Sequence, residues 1–179
     1  MKKKWWLAGW GMAVVALLLN AASMYQSDLK TLHNEADGVE PLRGKVILVV
    51  NIASRCVYTP QLGGLEKLYD TYRSKGFTVL GIPTNQTAFQ EPLDDEELEQ
   101  FCKHKYGITF PIFGKIDRYG MNASPLEYYV KSKTVGWNKG NVSEWNFTKY
   151  LIGRNGLILR KYSPRVTPEE IASDIEKLL

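Results

Sequence analysis

The apolar positions of this chain recur with two periods. Residues 45–53 (KVILVVNIA) and 77–83 (FTVLGIP) are nearly unbroken apolar runs rich in β-branched residues, as expected of central strands covered on both faces. Between them Leu62, Leu65, Leu68, Tyr69 and Tyr72 recur at helical spacing after Thr59-Pro60, with Thr59 as cap, Pro60 in the first helical position and Gly76 marking the end. A strand, a helix and a strand within about forty residues predict a βαβ unit with parallel strands. A second helix opens near Pro92 and Asp94, where Asp94 and Glu97 have capping-box spacing; Leu98, Phe101 and Cys102 form its apolar face and Gly107 closes it. Residues 108–116 read as extended. Residues 149–162 form two apolar runs about Asn155-Gly156, a hairpin. The last helix starts at Thr167-Pro168, with Glu170 completing a capping box and Ile171, Ile175 and Leu178 facing inward. This order predicts an α/β, thioredoxin-like fold: a central mixed sheet flanked by helices, with an insertion.

The first 23 residues differ in kind. Three lysines and two tryptophans precede LAGWGMAVVALLLNAAS, which fits a secretory signal cleaved after Ser23. It fits an uncleaved anchor equally well, being close to the roughly 20 residues that a span needs. Either reading places the body outside the cytoplasm, with membrane association through the N-terminus in the second. Residues 24–43 are a polar connector and 44–179 the folded domain. Lys2, Lys3 and Lys4 carry most of the formal net charge of +4. The body has no basic stripe with interleaved aromatics, so nucleic acid is not an expected partner. Two cysteines are too few for a disulfide scaffold, although they suffice for one bridge.

The chemistry centres on NIASRCVYTPQ, residues 51–61. Cys56 follows a central parallel strand and precedes a helix, which is where open α/β sheets place their chemistry. A helix N-terminus and the neighbouring Arg55 both favour a thiolate, the nucleophilic form. The competing reading is a small buried hydrophobe, but Cys56 lies beyond the apolar run. Thr59, not cysteine, stands three residues on, which disfavours dithiol exchange. His33 and His104 are poorly placed as protease partners, and the soft ligands for a metal site are too few. A thiolate attacking a peroxide O–O bond needs no histidine base, and sulfenic acid is the first rung of thiol oxidation.

Four segments in order, NIASRCVYTPQ, FTVLGIPTNQTAFQEP, TFPIF and WNFTKYLIGRNG, closely resemble the glutathione peroxidase family in its cysteine form. The match runs from about Gly44 to the C-terminus. The resemblance implies a thioredoxin fold and reduction of hydroperoxides, hydrogen peroxide and organic or lipid species alike, to alcohols and water. It implies Cys56 as the peroxidatic cysteine. Gln90, Trp145 and Asn146 are implied as neutral donors that stabilise the thiolate and the leaving oxygen. Taken without it, Trp145 reads as a packed aromatic and Asn146 as a turn residue or glycan acceptor. Cys102 stands where thioredoxin-dependent members carry a resolving cysteine, which implies an intramolecular disulfide and a thioredoxin-like protein, or else glutathione, as reductant. The competing reading of Cys102, on an apolar helix face beside Leu98 and Phe101, is a core residue. No metal, haem or flavin is implied. The chain departs from the family pattern at Val57 (in place of glycine), Thr84, Thr87 (in place of an aromatic) and Ala88-Phe89, all of which bear on substrate preference. The short stretch from Pro125 to Trp145 implies a monomer with an open site. Two other classes remain: an extracytoplasmic thiol-disulfide oxidoreductase, and a peroxide-sensing redox module whose partner surface changes on Cys56–Cys102 oxidation.

Overall fold

The computed structural model describes residues 39–134 and 145–179. The expected signal or anchor and most of the connector lie outside these residues. Among the described residues no helix is long and apolar enough to cross a membrane.

Four strands form one sheet in the order β2-β1-β3-β4, where β1 is Val46–Ile52, β2 Phe77–Pro83, β3 Lys149–Ile152 and β4 Ile158–Tyr162. β1 and β2 run parallel, joined by helix α1 (Gln61–Tyr72). β3 is antiparallel to both β1 and β4, so the sheet is mixed as the pattern predicted. β1, β2 and β3 are fully buried. Alternation then divides their side chains between two cores. Val46, Leu48, Val50 and Ile52 face Leu62 and Leu65 of α1, Leu98 of α2 (Asp95–Tyr106) and Ile171 and Ile175 of α4 (Pro168–Glu176). Ile47, Val49, Leu80 and Ile82 face Phe113 and helix α3 (Pro125–Thr134), through Leu126, Tyr129 and Val130. Helix α3 was not anticipated; its weak apolar periodicity hides it in sequence.

Both capping boxes form as spelled by the sequence, Asp94 with Glu97 on α2 and Thr167 with Glu170 on α4. Gly107 ends α2 in the left-handed region at φ 66°, which a glycine adopts without strain. Gly81 serves a different need. The extended segment 108–116 runs parallel beside β2 there, pairing Ile112 with Gly81, and a Cβ on Gly81 would come within 3.1 Å of the Ile52 side chain and 3.3 Å of Ile112. The hairpin is longer than a two-residue turn. Ile152 pairs with Ile158, so residues 153–157 form the loop, and Asn155 Oδ1 accepts from the Leu157 N–H.

The start of α1 corrects the sequence reading. Thr59 does not cap it: Pro60 occupies the cap position and the helix begins at Gln61. The Thr59 hydroxyl is engaged in the preceding loop instead.

Candidate active site

Three segments meet at the carboxyl ends of β1 and β2: the 53–60 loop, the 84–91 loop and the 145–148 turn. Thr59 organises the first. Its hydroxyl oxygen accepts from the Cys56 N–H at 3.1 Å, and its proton lies within reach of the carbonyls of Cys56 (2.7 Å) and Ala53 (2.8 Å). This folds the loop back over the end of the sheet. As a result Cys56 is only 6% exposed and joins the core with Ala53 and Leu62, deeper than its position past the apolar run suggested. Cys102 on α2 is also buried, and both thiols are free.

The second segment is tied to the first at two points. The Arg55 N–H donates to the Gln90 carbonyl at 3.0 Å. Glu91, fully buried, accepts from the Ser54 N–H (2.7 Å), the Ser54 hydroxyl (2.9 Å) and the Leu93 N–H (3.3 Å). Burial raises the Glu91 pKa, and the donors from Ser54 and Leu93 oppose that rise. Asn85 and Gln86 act as loop structure: Asn85 Oδ1 accepts from the Glu91 N–H, and Gln86 Oε1 from the N–H groups of Arg118 and Tyr119. Thr87 is buried where the resemblance led one to expect an aromatic, and Arg118 explains it. The guanidinium donates to Thr87 Oγ1 at 3.2 Å and, through Nε, to Glu127 at 2.7 Å. The aromatic ring appears two residues later, as Phe89, turned into solvent.

The third segment is a tight turn leading into β3. The Phe147 N–H donates to the Asn51 carbonyl at 2.6 Å, and Thr148 donates to the Trp145 carbonyl through both N–H (3.1 Å) and hydroxyl (2.7 Å). Phe147 is held at φ 65°, a left-handed conformation that a bulky residue adopts only under tertiary constraint. The turn buries Asn146 completely and leaves Trp145 half-buried against the core.

These contacts assemble an amide relay. The Asn51 amide Nδ2 donates to Asn146 Oδ1 at 3.1 Å, and Asn146 Nδ2 donates to Gln90 Oε1 at 2.9 Å. Each amide has one carbonyl end and one donor end. The Thr87 carbonyl, which can only accept, also faces Asn146 Nδ2 at 3.5 Å, and the donor end of Asn146 set there leaves the Gln90 donor end for whatever occupies the site. Gln90 and Asn146 are brought together, and Trp145 and Cys56 belong to the same core cluster. Cys102 sits in mid-helix, where burial, and then the nearby Glu91 carboxylate, push its thiol up to about 12. It stays a protonated thiol while α2 is intact. Asn51, Glu91 and Thr59 escaped the sequence reading as site residues. A polar Asn51 inside an otherwise apolar strand was the available signal.

The chain matches the glutathione peroxidase family model over residues 24–131. It belongs to the glutathione peroxidase family. It is 42% identical over 157 residues to a glutathione peroxidase homolog, BsaA, of Bacillus subtilis, covering 88% of this chain and 98% of that protein. A glutathione peroxidase-like peroxiredoxin of Saccharomyces cerevisiae is 41% identical, covering 88% and 97%. A hydroperoxy fatty acid reductase of Synechocystis is 40% identical, covering 88% and 96%. Among solved structures, T. cruzi GPX1 superposes with a TM-score of 0.68 at 31% identity, covering 87% of this chain and 95% of that one. A thioredoxin-family interchange protein from Chlorobium tepidum, at TM-score 0.60 and 18% identity, shares the fold alone.

Proposed function

We propose that this member of the glutathione peroxidase family is a thiol-dependent hydroperoxide reductase working through a two-cysteine cycle. The observation that carries the reading is the amide relay: Asn51 and Asn146 orient Gln90 so that its donor end is free beside the Cys56 loop. In the first step the Cys56 thiolate attacks one peroxide oxygen. An S–O bond forms as the O–O bond breaks, Cys56 becomes a sulfenic acid, and the alkoxide leaves and takes up a proton to become the alcohol. Gln90 Nε2 and the Trp145 indole N–H are neutral donors suited to the charge that moves from sulfur to oxygen. In the second step the Cys102 thiol attacks the Cys56 sulfenic acid, water departs with the thiol proton, and a disulfide remains. A dithiol reductant then returns both cysteines, by two successive thiol-disulfide exchanges, and is itself oxidised.

Cys102 attacks only once α2 opens, because a buried, protonated thiol in mid-helix is a poor nucleophile. Val57 and Phe89, each 81% exposed, supply apolar surface beside Cys56 and Gln90. Ala88 and Phe89 both adopt φ 53°, which turns the Phe89 ring outward. This apolar rim favours organic and lipid hydroperoxides. The N-terminal segment favours an extracytoplasmic, membrane-proximal location, and the short 125–145 region a monomer.

The deciding experiment takes reduced protein, adds one equivalent of an organic hydroperoxide, and follows free thiols and disulfides by mass spectrometry. Rapid loss of both thiols with a Cys56–Cys102 bridge, together with a Cys102→Ser variant that stops at sulfenic acid on Cys56, supports the cycle. Two thiols that survive many minutes refute it.

A further inference from the structure

Lys149 is the first residue of β3 and is fully buried. A fully buried lysine is rare unless it is paired, yet among the described residues no carboxylate lies within ion-pair distance of it. Its ammonium donates instead to two backbone carbonyls, of Phe147 and of Val166, each at 2.9 Å. The first is the carbonyl of the left-handed residue in the turn that carries Trp145 and Asn146. The second belongs to the loop that leads into α4. One buried charge thus ties the 145–148 turn to the rest of the domain.

We infer that Lys149 is a positioning residue for the peroxidatic site: its ammonium, by holding the Phe147 carbonyl, fixes the strained turn that presents Trp145 and Asn146 to the Cys56 chemistry. The inference rests on the reading of Trp145 and Asn146 as groups that act on that chemistry. The Phe147 N–H is held on one side by the Asn51 carbonyl and its C=O on the other by Lys149. Both restraints act on a residue whose backbone would otherwise relax to negative φ. Relaxation there would rotate Asn146, break its bond to Gln90, and free the Gln90 amide to turn.

A neutral lysine amine is a weaker donor than the ammonium, so the restraint is pH-dependent. Burial lowers the Lys149 pKa to about 8, against a smaller opposing effect of Glu170. The groups around it are few. Glu170 accepts from the Thr167 N–H at the start of α4. Tyr162 lies opposite on β4, its hydroxyl donating to Asp174, which is also bound by Arg160 and Lys177. On β1 the partner position is Val50, which has no charge.

The test measures the second-order rate of Cys56 oxidation by hydrogen peroxide from pH 6 to 10, in the full chain and in Lys149→Met and Lys149→Gln. The ratio of wild type to Lys149→Met at each pH reads the contribution of the ammonium. The expected ratio is about tenfold at neutral pH and falls toward one as pH passes the Lys149 pKa. Lys149→Gln, a shorter neutral donor, should recover part of the rate. A ratio that stays flat with pH, or a Lys149→Met variant that reacts as fast as wild type, overturns the inference. If Lys149→Met does not fold, the Trp145 indole resonance in a Cys56→Ser chain gives a second readout. It should shift with a midpoint near the Lys149 pKa, and its failure to titrate there overturns the inference as well. A wild type that does not react with peroxide at all refutes the proposed function instead, so the two failures are distinguishable.

Discussion

Cys102 should make this protein lose stability above pH 9. In an unfolded chain its thiol ionises near 9.0; in the fold, burial first and the Glu91 charge second hold the proton until about pH 12. Between those values the unfolded chain has released a proton that the folded chain retains. Stability then falls as pH rises, by about 1.4 kcal/mol per pH unit. The loss is near zero at pH 8, between about 1 and 2 kcal/mol at pH 10, and approaches about 4 kcal/mol at pH 12 by the same linkage. Other groups titrate over this range, and Lys149 works in the opposite direction: its lowered pKa means that stability rises as pH climbs from about 8 toward 10.5. A comparison with Cys102→Ala removes these common contributions. Urea unfolding of both proteins under reducing conditions at pH 8 and pH 10 should show wild type losing between about 1 and 2 kcal/mol more than the variant. Any constant penalty from the lost thiol volume cancels in that difference. Equal pH dependence in the two proteins would refute the claim that Cys102 is buried as a protonated thiol. Cys102 would then need no opening of α2 before it reacts.

Four further outcomes are expected. Gln90→Ala should slow Cys56 oxidation by about 10²-fold, as loss of a preorganised donor does elsewhere; Asn146→Ala should slow it comparably by freeing Gln90, and stopped-flow peroxide kinetics read both. Amide hydrogen exchange over residues 94–107 should speed up when the Cys56–Cys102 disulfide forms, and equal protection in both redox states would count against unwinding of α2. Phe89→Lys should lower the rate with a phospholipid hydroperoxide relative to hydrogen peroxide, in a competition assay, while leaving the hydrogen peroxide rate within about twofold, because the ring is solvent-exposed. Glu127→Gln should cost about 3 kcal/mol or more in chemical denaturation, because it removes the carboxylate that faces the buried Arg118 guanidinium at 2.7 Å.

Much of this architecture was legible in the chain itself. The two apolar runs became β1 and β2 at nearly the residues expected, and both capping boxes formed, because these signals depend on neighbours three or four positions away. The order of elements then left few topologies, and one of them puts the end of β1 at the site. Cys56, Gln90, Trp145 and Asn146 could be nominated by type and by motif. Their cooperation could not, because Asn51 and Asn146 are 95 residues apart and the direction of a hydrogen-bonded relay has no local signature. The same holds for Thr59, whose placement suits a helix cap until the folded loop offers its hydroxyl the backbone of Cys56 and Ala53. It holds for Lys149, ordinary in the sequence and exceptional only once it is buried among carbonyls. Sequence alone determined most of the elements and their order, α3 excepted, and nominated Cys56 as nucleophile, since periodicity and capping are short-range. Tertiary structure alone decided which polar groups are buried, which of them meet and how firmly Cys102 keeps its proton. Desolvation and hydrogen-bond direction depend on everything that packs around a group.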